Sequence, residues 1–311
     1  MPVEGNTRII CAAKQSAKGT PNITSTQFYI LSGDAALNPN REIIQLPETD
    51  ASSQRSDNVV VGSSPGGGWS GWLRGSQTKF LAEGIMGSVS GTPTQTAIPV
   101  SALPYYTIFD VIPGQQCTQY NDVRFSSLTV SSEALQGTTY TVEAVGLSAV
   151  LNATPPTITL PTDTKYGHSY LTTTVGGSAP GTHDAVSITI NRNVTLLRGD
   201  MGLAIFDSWP GIFEVTGTFR KIYANDDDYN KIHGGAAAAT VLTRTIFTEA
   251  LSILYAEDAT HSMEFVSSGI EYTAITVPVN VDGSPILQTL TINTKRQAVW
   301  ANNLSIVSKY P

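Results

Sequence analysis

The side chains that most often catalyse reactions or bind metals are few and scattered in this sequence. Its four histidines have no metal-ligand spacing and stand in no Ser-His-Asp type motif: His168, His183, His233 and His261. His183 precedes Asp184, but neighbouring residues of a strand point to opposite faces, so this adjacency does not bring the two side chains together. The histidines are therefore predicted to lie in loops or at the surface, and no catalytic set is expected.

A short acidic segment, from Asn225 to Asn230, offers oxygen ligands for a cation. It includes Asp226 and Asp228, which are weak candidates for a metal site. The segment lacks the glycine and the distal glutamate of a calcium-binding loop. A solvated turn after a strand that ends near Tyr223 is the prediction, and no metal or other cofactor is expected.

Glycine, cysteine and tryptophan positions favour structural over chemical roles. Ser63–Ser70 is glycine-rich and precedes a predicted helix, but no Gly-Lys-Ser/Thr follows it, so it is interpreted as part of a flexible arm. Cys11 and Cys117 are too few for a disulfide framework and are predicted to be small core residues. The tryptophans are interpreted as core or subunit-contact anchors: Trp69, Trp72, Trp209 and Trp300.

The composition favours a β-rich protein whose surface is polar but weakly charged. Charged residues make up only 14% of the 311 residues, while hydrophobic residues reach 41%, which argues against a disordered chain. The net charge is −7, and the densest basic spots, Arg220-Lys221 and Lys295-Arg296, are too small for a nucleic-acid patch. The chain has no apolar run of signal-peptide or membrane-spanning length, so we expect it to be made and kept in a cytoplasm.

Most apolar runs alternate with a period of two residues, which predicts half-buried strands. In Phe213–Arg220, the aromatic and valine side chains share one face, and the glutamate, threonine and arginine side chains share the other. Ser127–Ser131 and Thr139–Ala144 alternate in the same way on either side of a turn, which predicts a hairpin. Two further strands are predicted at Ser187–Val194 and Leu287–Asn293.

Two segments instead have helical periodicity. Val241–Tyr255 carries apolar residues spaced i, i+4, i+5, i+8, i+9 and i+12, a continuous stripe, and the alanines 236–239 could extend it. A shorter helix is predicted to start near Ser70, with Trp69, Trp72, Leu73 and Phe80 supplying its buried face.

The remaining segments predict long loops and an internal duplication. Leu37–Gly68 and Asn152–Thr182 are rich in Pro, Ser, Thr and Gly and are predicted to be loops that act as arms between copies. Each half of the chain has one predicted helix among several strands, which suggests a duplication with its boundary between Leu151 and Pro161.

Four segments, in this order and spacing, carry a resemblance to a known family: Asn6–Thr20, Trp69–Ser76, Tyr120–Ala149 and Val186–Tyr223. The last contains SITINRNV followed by FEVTGTFRKIY, and the third reads as a strand hairpin. Lys18-Gly19-Thr20 keeps a Gly-Thr turn but lacks the aromatic residue that precedes it in the family. Together these segments cover well over half of the chain and resemble the major tail (tail tube) proteins of long-tailed, non-contractile bacteriophages.

This resemblance implies a mainly β fold with two helices. Duplicated tail-tube β-sandwich or barrel domains, each flanked by one helix, would contribute inner strands to a multi-subunit barrel. The first domain is expected at 1–155, with the arm loop 37–68, and the second at 156–311. The implied function is a structural subunit that polymerises as stacked rings into a hollow conduit for genomic DNA during ejection.

The resemblance also implies location and partners. The protein would lie in the virion tail tube after assembly in the bacterial host cytoplasm, would bind copies of itself and would not be an enzyme. Rings of three two-domain copies are favoured, with rings of six as the alternative. Further partners would be the tape measure protein, the tail terminator and distal tail or baseplate proteins, while DNA would pass without specific binding and no membrane would be involved.

Polar strand faces supply the candidate site residues. Acidic groups on a lumen wall would repel phosphate, since Lys and Arg are what neutralise phosphate in nonspecific binding. The lumen-facing candidates are Glu143, Glu214, Thr216, Thr218, Glu271, Thr289 and Thr291. The candidates for contacts between rings are Asn38, Asn40, Arg41, Arg55 and Asp57.

Two other classes of function remain open at the sequence level. A carbohydrate-binding or receptor-binding β-protein of a tail fibre or adhesin would also explain the threonine and serine content and the tryptophans. A hydrolase on a β-scaffold is the weakest alternative, because the sequence offers no plausible acid and base.

Overall fold

The computed structural model describes residues 8–24, 29–31, 34–45, 58–160, 162–177, 183–199, 205–223, 227–233, 246–278, 285–294 and 304–310. Strands of the first half are β1 (Ile9–Lys14), β2 (Tyr29–Leu31), β3 (Asn38–Gln45), β4 (Asn58–Trp72), β5 (Gly87–Ser90), β6 (Thr94–Pro99), β7 (Tyr106–Ile112), β8 (Gln116–Glu133), β9 (Thr139–Val145) and β10 (Ser148–Val150). Strands of the second half are β11 (Leu171–Val175), β12 (His183–Asn191), β13 (Thr195–Arg198), β14 (Ile205–Trp209), β15 (Glu214–Ile222), β16 (Thr248–Ala256), β17 (Ser262–Thr276), β18 (Leu287–Thr294) and β19 (Ser305–Lys309). Helix α1 (Gly75–Met86) follows β4, helix α2 (Asp227–Ile232) follows β15, and a 3₁₀ turn (His168–Tyr170) precedes β11.

The alternating sequences form half-buried strands, as predicted. In β15 the buried side chains Val215 and Phe219 alternate with the exposed side chains Glu214, Thr216 and Thr218. β8 and β9 form the predicted hairpin, and β12 and β18 contain the other two predicted strands. The fold is therefore mainly β with two helices, which confirms the predicted fold class.

Each half of the chain builds two sheets with the same order of strands. In the first half, β1, β7, the beginning of β8 and β10 form a back sheet, and β3, β4, β9 and the end of β8 form a front sheet. In the second half, β11, β16, the beginning of β17 and β19 form the back sheet, and β12, β15, β18 and the end of β17 form the front sheet. This correspondence supports the duplication, while the domain limits 1–155 and 156–311 stay a prediction.

The two front sheets join edge to edge within the chain because β8 also pairs with β12. They form one antiparallel front sheet of eight strands in the order β3-β4-β9-β8-β12-β15-β18-β17. The back sheet of the second half is extended by the β5–β6 hairpin of the first, since β6 pairs with β19. The main apolar core contains buried residues from both halves, and a smaller separate cluster consists of Cys11, Phe109, Val111 and Cys117.

Helix α1 packs on the core of the first half. The Phe80 ring meets the rings of Phe125 and Tyr106 edge-on, with centroids 5.2 and 5.1 Å apart. The helix can approach this closely because residue 84 is glycine, and a Cβ at Gly84 would overlap the Phe125 ring. The helix ends at Gly87, whose φ of 97° is a left-handed conformation that favours glycine. No helix in the described part of the chain is long and apolar enough to cross a membrane.

The helix predicted over 241–255 is wrong wherever the structure describes it. Residues 248–256 form β16, which pairs with β11 on one side and β17 on the other. Leu251, Ile253 and Tyr255 are buried at a period of two, while the side chains between them are half-buried. The segment fits both periodicities locally, and hydrogen bonding to two distant strands decides between them. Residues 241–245 and the alanines 236–239 lie outside the described residues.

The predicted loops are also shorter than expected. Within 37–68, the segments 38–45 and 58–68 are paired strands, while residues 46–57 lie outside the described residues. Within 152–182, Leu171–Val175 is β11. The helix predicted near Ser70 exists as α1 but starts only at Gly75, because residues 66–72 of β4 pair with β9.

Candidate functional site: the polar face of the front sheet

The front sheet has one face on the core and a second face, called the polar face below, that extends over both halves of the chain. Directly paired residues of an antiparallel sheet point to the same side, so the pairings define which side chains share this face. All of the residues predicted to face a lumen lie on it: Glu143, Glu214, Thr216, Thr218, Glu271, Thr289 and Thr291. Sequence alternation identified this set, and the structure brings it together on one surface.

Hydroxyl and amide side chains stand in rows across the polar face. One row runs through directly paired residues of β9, β8, β12, β15, β18 and β17: Thr141, Thr129, Thr189, Thr216, Asn293 and Glu271. The next row is Thr139, Ser131, Ser187, Thr218 and Thr291. The Thr129 and Thr189 hydroxyls are 2.9 Å apart, so a hydrogen bond crosses the line where the two halves meet. The polar face is therefore continuous through this junction.

Carboxylates lie among these hydroxyl groups. Glu143, Glu214 and Glu271 come from β9, β15 and β17, so acidic groups are distributed over both halves. Glu214 accepts a hydrogen bond of 3.4 Å from the Asn193 side-chain amide. Both Glu143 and Glu214 are exposed, so their charges act on whatever lies in front of the sheet.

Arg220 lies on the polar face opposite its paired residues Ala185 and Thr289, and it is bound on two sides. Its Nη2 donates to Glu133 at 2.6 Å and its Nε donates to Asp184 at 2.5 Å. The hydrogen bonds to Glu133 and then to Asp184 raise the pKa of Arg220 above its ordinary value. Because two carboxylates balance one guanidinium, this cluster leaves the polar face acidic.

The predicted ring-to-ring contacts lie at one border of the front sheet. Asn38, Asn40 and Arg41 are on β3, which in the described residues pairs only with β4, and all three are exposed. At the opposite border, residues 272–276 pair only with β18 within the described part of the chain. Within the part of the chain that the structure describes, the front sheet therefore has two open edges. Arg55 and Asp57 lie outside the described residues.

The weak metal candidate Asp228 is occupied by cations of the protein itself. It is buried in α2 rather than in a solvated turn, and its carboxylate binds Lys221, Lys231 at 3.6 Å and the Gln288 amide at 2.6 Å. Burial opposes ionisation, but the hydrogen bond and charge of Lys221, with Lys231 and Gln288, lower the pKa of Asp228. Among the described residues, no group of three or more His, Cys, Asp or Glu could hold a metal. Asp226 lies outside them.

The histidines form no catalytic set among the described residues. His168 Nδ1 lies 2.9 Å from the Ser132 hydroxyl, but Ser132 is buried and the other ring nitrogen faces the His183 carbonyl oxygen at 3.2 Å. His261 Nδ1 lies 2.9 Å from Asp258 and 3.1 Å from the Thr260 hydroxyl, so both contacts use the same nitrogen and the ring does not link the hydroxyl to the carboxylate. His183 is half-buried at the start of β12, with its ring 5.6 Å from that of Phe219. Burial, reinforced by Lys221, lowers the pKa of His183 to about 4.

Sequence reasoning missed two arginines that are buried where the halves meet. Arg192 is only 1% exposed, and its Nη2 donates to the Val100 carbonyl oxygen at 2.5 Å. Arg124 binds the carbonyl oxygens of Leu103 and Ser208. Burial lowers the pKa of Arg192 to about 10. No local pattern signals their burial, although the dipeptide Asn-Arg occurs at 191–192 and again at 40–41.

The other predicted structural residues divide between core and surface. Cys11 and Cys117 are buried, as predicted, and burial raises the pKa of Cys11 to about 12. Trp69 lies in the core, whereas Trp72 and Trp209 are 40% and 64% exposed. Trp300 lies outside the described residues.

Comparison with known proteins adds one finding. A family model described as phage tail tube protein matches residues 5–292, a range that includes β1 to β17 and most of β18. A search of curated proteins found no match.

Proposed function

This chain belongs to the phage tail tube protein family, and from that premise we propose that it builds the tail tube of a long-tailed, non-contractile phage. Membership of the family places the protein in the virion tail, where it assembles with itself and with other tail proteins. The proposal is that copies form rings, that the rings stack into a tube, and that genomic DNA passes along the polar face during ejection.

The continuous polar face carries this proposal. A sheet that has an apolar core on one side and rows of hydroxyl groups on the other must keep the second side in contact with water. Here that side spans eight strands without interruption. A water-filled lumen meets this requirement when the open edges of the sheet are joined to other copies, and joining them also removes edges that would otherwise pair at random.

The width of the sheet favours three copies in a ring. Three copies of eight strands supply 24 strands, which at about 4.8 Å each and a tilt of about 40° give a barrel of about 48 Å diameter. Side chains of about 5 Å on each wall leave an opening of about 38 Å, which admits hydrated duplex DNA. By the same reasoning, a ring of two copies would have an opening of about 22 Å, and this opening is hardly wider than the DNA duplex itself. Three is therefore the smallest ring that serves as a conduit.

The charge of the polar face suits passage without adhesion. Nonspecific binding to DNA depends on Lys and Arg that neutralise phosphates and release counterions. The polar face presents Glu143, Glu214 and Glu271, and its Arg220 is already bound to Glu133 and Asp184. DNA would therefore find hydroxyl groups that exchange hydrogen bonds with water and carboxylates that repel it.

The remaining partners follow from the place of a tube within a tail. We propose that the tube encloses a tape measure protein during assembly and ends at a tail terminator and at distal tail or baseplate proteins. The proposed role is structural rather than enzymatic, as is general for the family.

Electron microscopy of the purified protein at high concentration tests assembly. Hollow filaments of constant diameter are expected, with a three-fold symmetric ring in averaged end views. Protein that stays monodisperse under every assembly condition would contradict the proposal.

Charge reversal on the polar face tests the lumen assignment. Glu143→Lys or Glu214→Lys tubes should retain duplex fragments at low salt and release them as salt rises, because each lysine adds a phosphate contact. Glu257→Lys makes the same charge change at an exposed residue of the turn after β16 and serves as the matched control. If the control retains as much DNA as the other two, the polar face does not line the lumen.

One observation bears on a carbohydrate-binding alternative. The polar face contains an open depression of about 310 Å³ lined by Ser131, Glu133, Thr218 and Arg220 among others. None of these lining residues is aromatic, but Trp72, which is 40% exposed, pairs with the lining residue Thr139 and lies against Gly137. One aromatic ring therefore stands at the border of the depression, where a sugar ring could stack. Binding of glycans by a protein that forms no filaments would favour this alternative.

A further inference from the structure

The line where the two halves meet is a complete strand-to-strand junction inside a single chain. Along it, Thr189 of β12 lies opposite Thr129 of β8, and Asn191 lies opposite Ser127. The junction is extended at one end by the Arg192 amide, which donates to the Ser126 carbonyl oxygen at 2.7 Å. The buried Arg192 side chain then reaches into the first half as far as Val100.

The duplication allows each strand of this junction to be matched with a strand at an open edge. β8 and β17 occupy equivalent places, and each has a register shift against its hairpin partner, between Phe125 and Ser127 in β8 and between Tyr272 and Ala274 in β17. Aligning these two shifts makes Ala274 equivalent to Ser127. It also makes Thr276 equivalent to Thr129.

The same alignment can be extended to β3 by following the residue pairings from strand to strand. Gly67 of β4 becomes equivalent to Gly217 of β15, and Trp69 becomes equivalent to Phe219. The next step makes Asn38 and Asn40 of β3 equivalent to Thr189 and Asn191 of β12. The pairings used no residue identities, yet they place Gly on Gly, an aromatic residue on an aromatic residue and Asn on Asn.

One residue further, Arg41 becomes equivalent to Arg192. The two arginines differ in surroundings, because Arg192 is buried in the internal junction whereas Arg41 is exposed at the open edge. An exposed arginine at the position of a buried one suggests that a partner is missing there.

The direction of the strands permits the same junction between copies. The eight strands alternate in direction, so β3 and β17 at the two borders are antiparallel to each other. A second copy placed beside the first can therefore continue the sheet in the antiparallel sense, and the rotation can repeat until the sheet closes.

We propose that β17 of one copy pairs with β3 of the next copy in the register of the internal β8–β12 junction, with Asn38 opposite Thr276 and Asn40 opposite Ala274. This inference rests on the proposed function, since it describes the seam between neighbouring subunits of a ring. Asn38, Asn40 and Arg41 then become contacts within a ring, in place of the contacts between rings that the sequence suggested. Arg41 becomes buried in the neighbouring copy as Arg192 is buried in its own chain.

Pro39 distinguishes the proposed seam from its internal template. The Ala36 amide donates to Gly68 in β4, so alternate amides from Leu37 onwards point to the open edge. Pro39 falls in that series and has no amide hydrogen. Its equivalent in the internal junction is Ile190, which has one, so the seam has one backbone hydrogen bond fewer than the junction. Proline at an edge also discourages random strand pairing by the free subunit.

Disulfide trapping in assembled tubes tests the register. Asn38→Cys combined with Thr276→Cys should form disulfides between copies and give a covalent species three times the 33.0 kDa chain mass, with no longer ladder. The two sites are about seven strand spacings, or roughly 34 Å, apart within one chain, which excludes an intrachain bond. The native cysteines are both buried.

Two controls make the result specific. Thr129→Cys combined with Thr189→Cys has the template geometry and should form an intrachain disulfide whether or not tubes assemble. Asn40→Cys combined with Thr276→Cys is displaced by two residues and should cross-link at least tenfold more slowly, because diagonal neighbours lie beyond normal disulfide reach. Tubes that cross-link at the displaced pair or at neither pair would overturn the register while leaving the proposed function intact. A wild-type protein that builds no tubes would instead contradict the proposed function.

Arg41 provides an independent test that needs no cysteine. Arg41→Ala should raise the concentration needed for tube formation by roughly tenfold or more, the loss expected when hydrogen bonds of a buried charged group are removed. Lys79→Ala removes the same charge from an exposed residue of α1 and should leave assembly unchanged. Circular dichroism and urea unfolding of the subunit should be unaffected in both variants. Equal assembly of the two variants would refute burial of Arg41 at the seam.

Discussion

His183 should make the stability of the free subunit depend on pH between 5 and 7. Its imidazole is half-buried beside the Phe219 ring. Burial, then the positive charge of Lys221, lowers the pKa of His183 to about 4. The charge of His168 also lowers this pKa, whereas the charge of Asp228 raises it. The unfolded chain binds a proton below about pH 6.5, while the folded chain binds it only near pH 4. The contribution of His183 to the free energy of unfolding is therefore at its maximum above pH 6.5 and is lost as the pH falls towards 4.

The size of the effect follows from this difference in pKa. Between pH 7 and pH 5, a shift from 6.5 to about 4 corresponds to a loss of about 2 kcal/mol in the free energy of unfolding. Because part of the ring is open to water, solvent screening reduces the expectation to about 1 kcal/mol.

Urea unfolding at pH 7 and pH 5, below the concentration for assembly, measures this difference. His183→Gln keeps a neutral polar side chain and should lose about 1 kcal/mol less than the wild type on acidification, with an unchanged m-value. Parallel pH profiles for the wild type and His183→Gln would refute the assignment.

Three further predictions concern the core that supports the polar face. Phe125→Ala should lower the free energy of unfolding by about 3 to 5 kcal/mol, because three aromatic rings pack on it, whereas the exposed Phe206→Ala should change it by less than about 0.5 kcal/mol. Gly84→Ala usually stabilises a helix by about 1 kcal/mol, but here it should destabilise α1, since the new methyl group overlaps the Phe125 ring, and a higher melting temperature would contradict this. Asp228→Asn should cost about 2 kcal/mol at pH 7, because Lys221 loses its buried carboxylate, and this cost should shrink as the pH falls through the lowered pKa of the wild-type carboxyl.

Local sequence patterns were sufficient to predict the strands that carry the polar face. In residues 214–219 of β15, and in residues 127–131 and 139–144 of the β8–β9 hairpin, exposed or half-buried side chains alternate with buried ones. A one-residue slip would therefore expose the core side chains. The sequence therefore determined which residues point away from the core, including Glu143 and Glu214. It also determined the family, since the order and spacing of the matching segments are properties of the sequence.

Only the tertiary structure decided the other features. Residues 248–256 fit a helix and a strand equally well by local spacing, and their pairing with β11 and β17 made them a strand. Residues 38–45 carry polar and proline residues that read as a loop, yet they follow the edge of β4.

The junction between the halves is the clearest case of a feature that sequence alone does not reveal. The Asn-Arg dipeptide at 191–192 has no unusual neighbours, and its arginine is buried only because β12 lies against β8, some 60 residues away. Periodicity records which face of an element is apolar, because that depends on adjacent residues. Which strands become neighbours depends on the combined energy of pairings between residues far apart in the chain, and no local pattern contains that information.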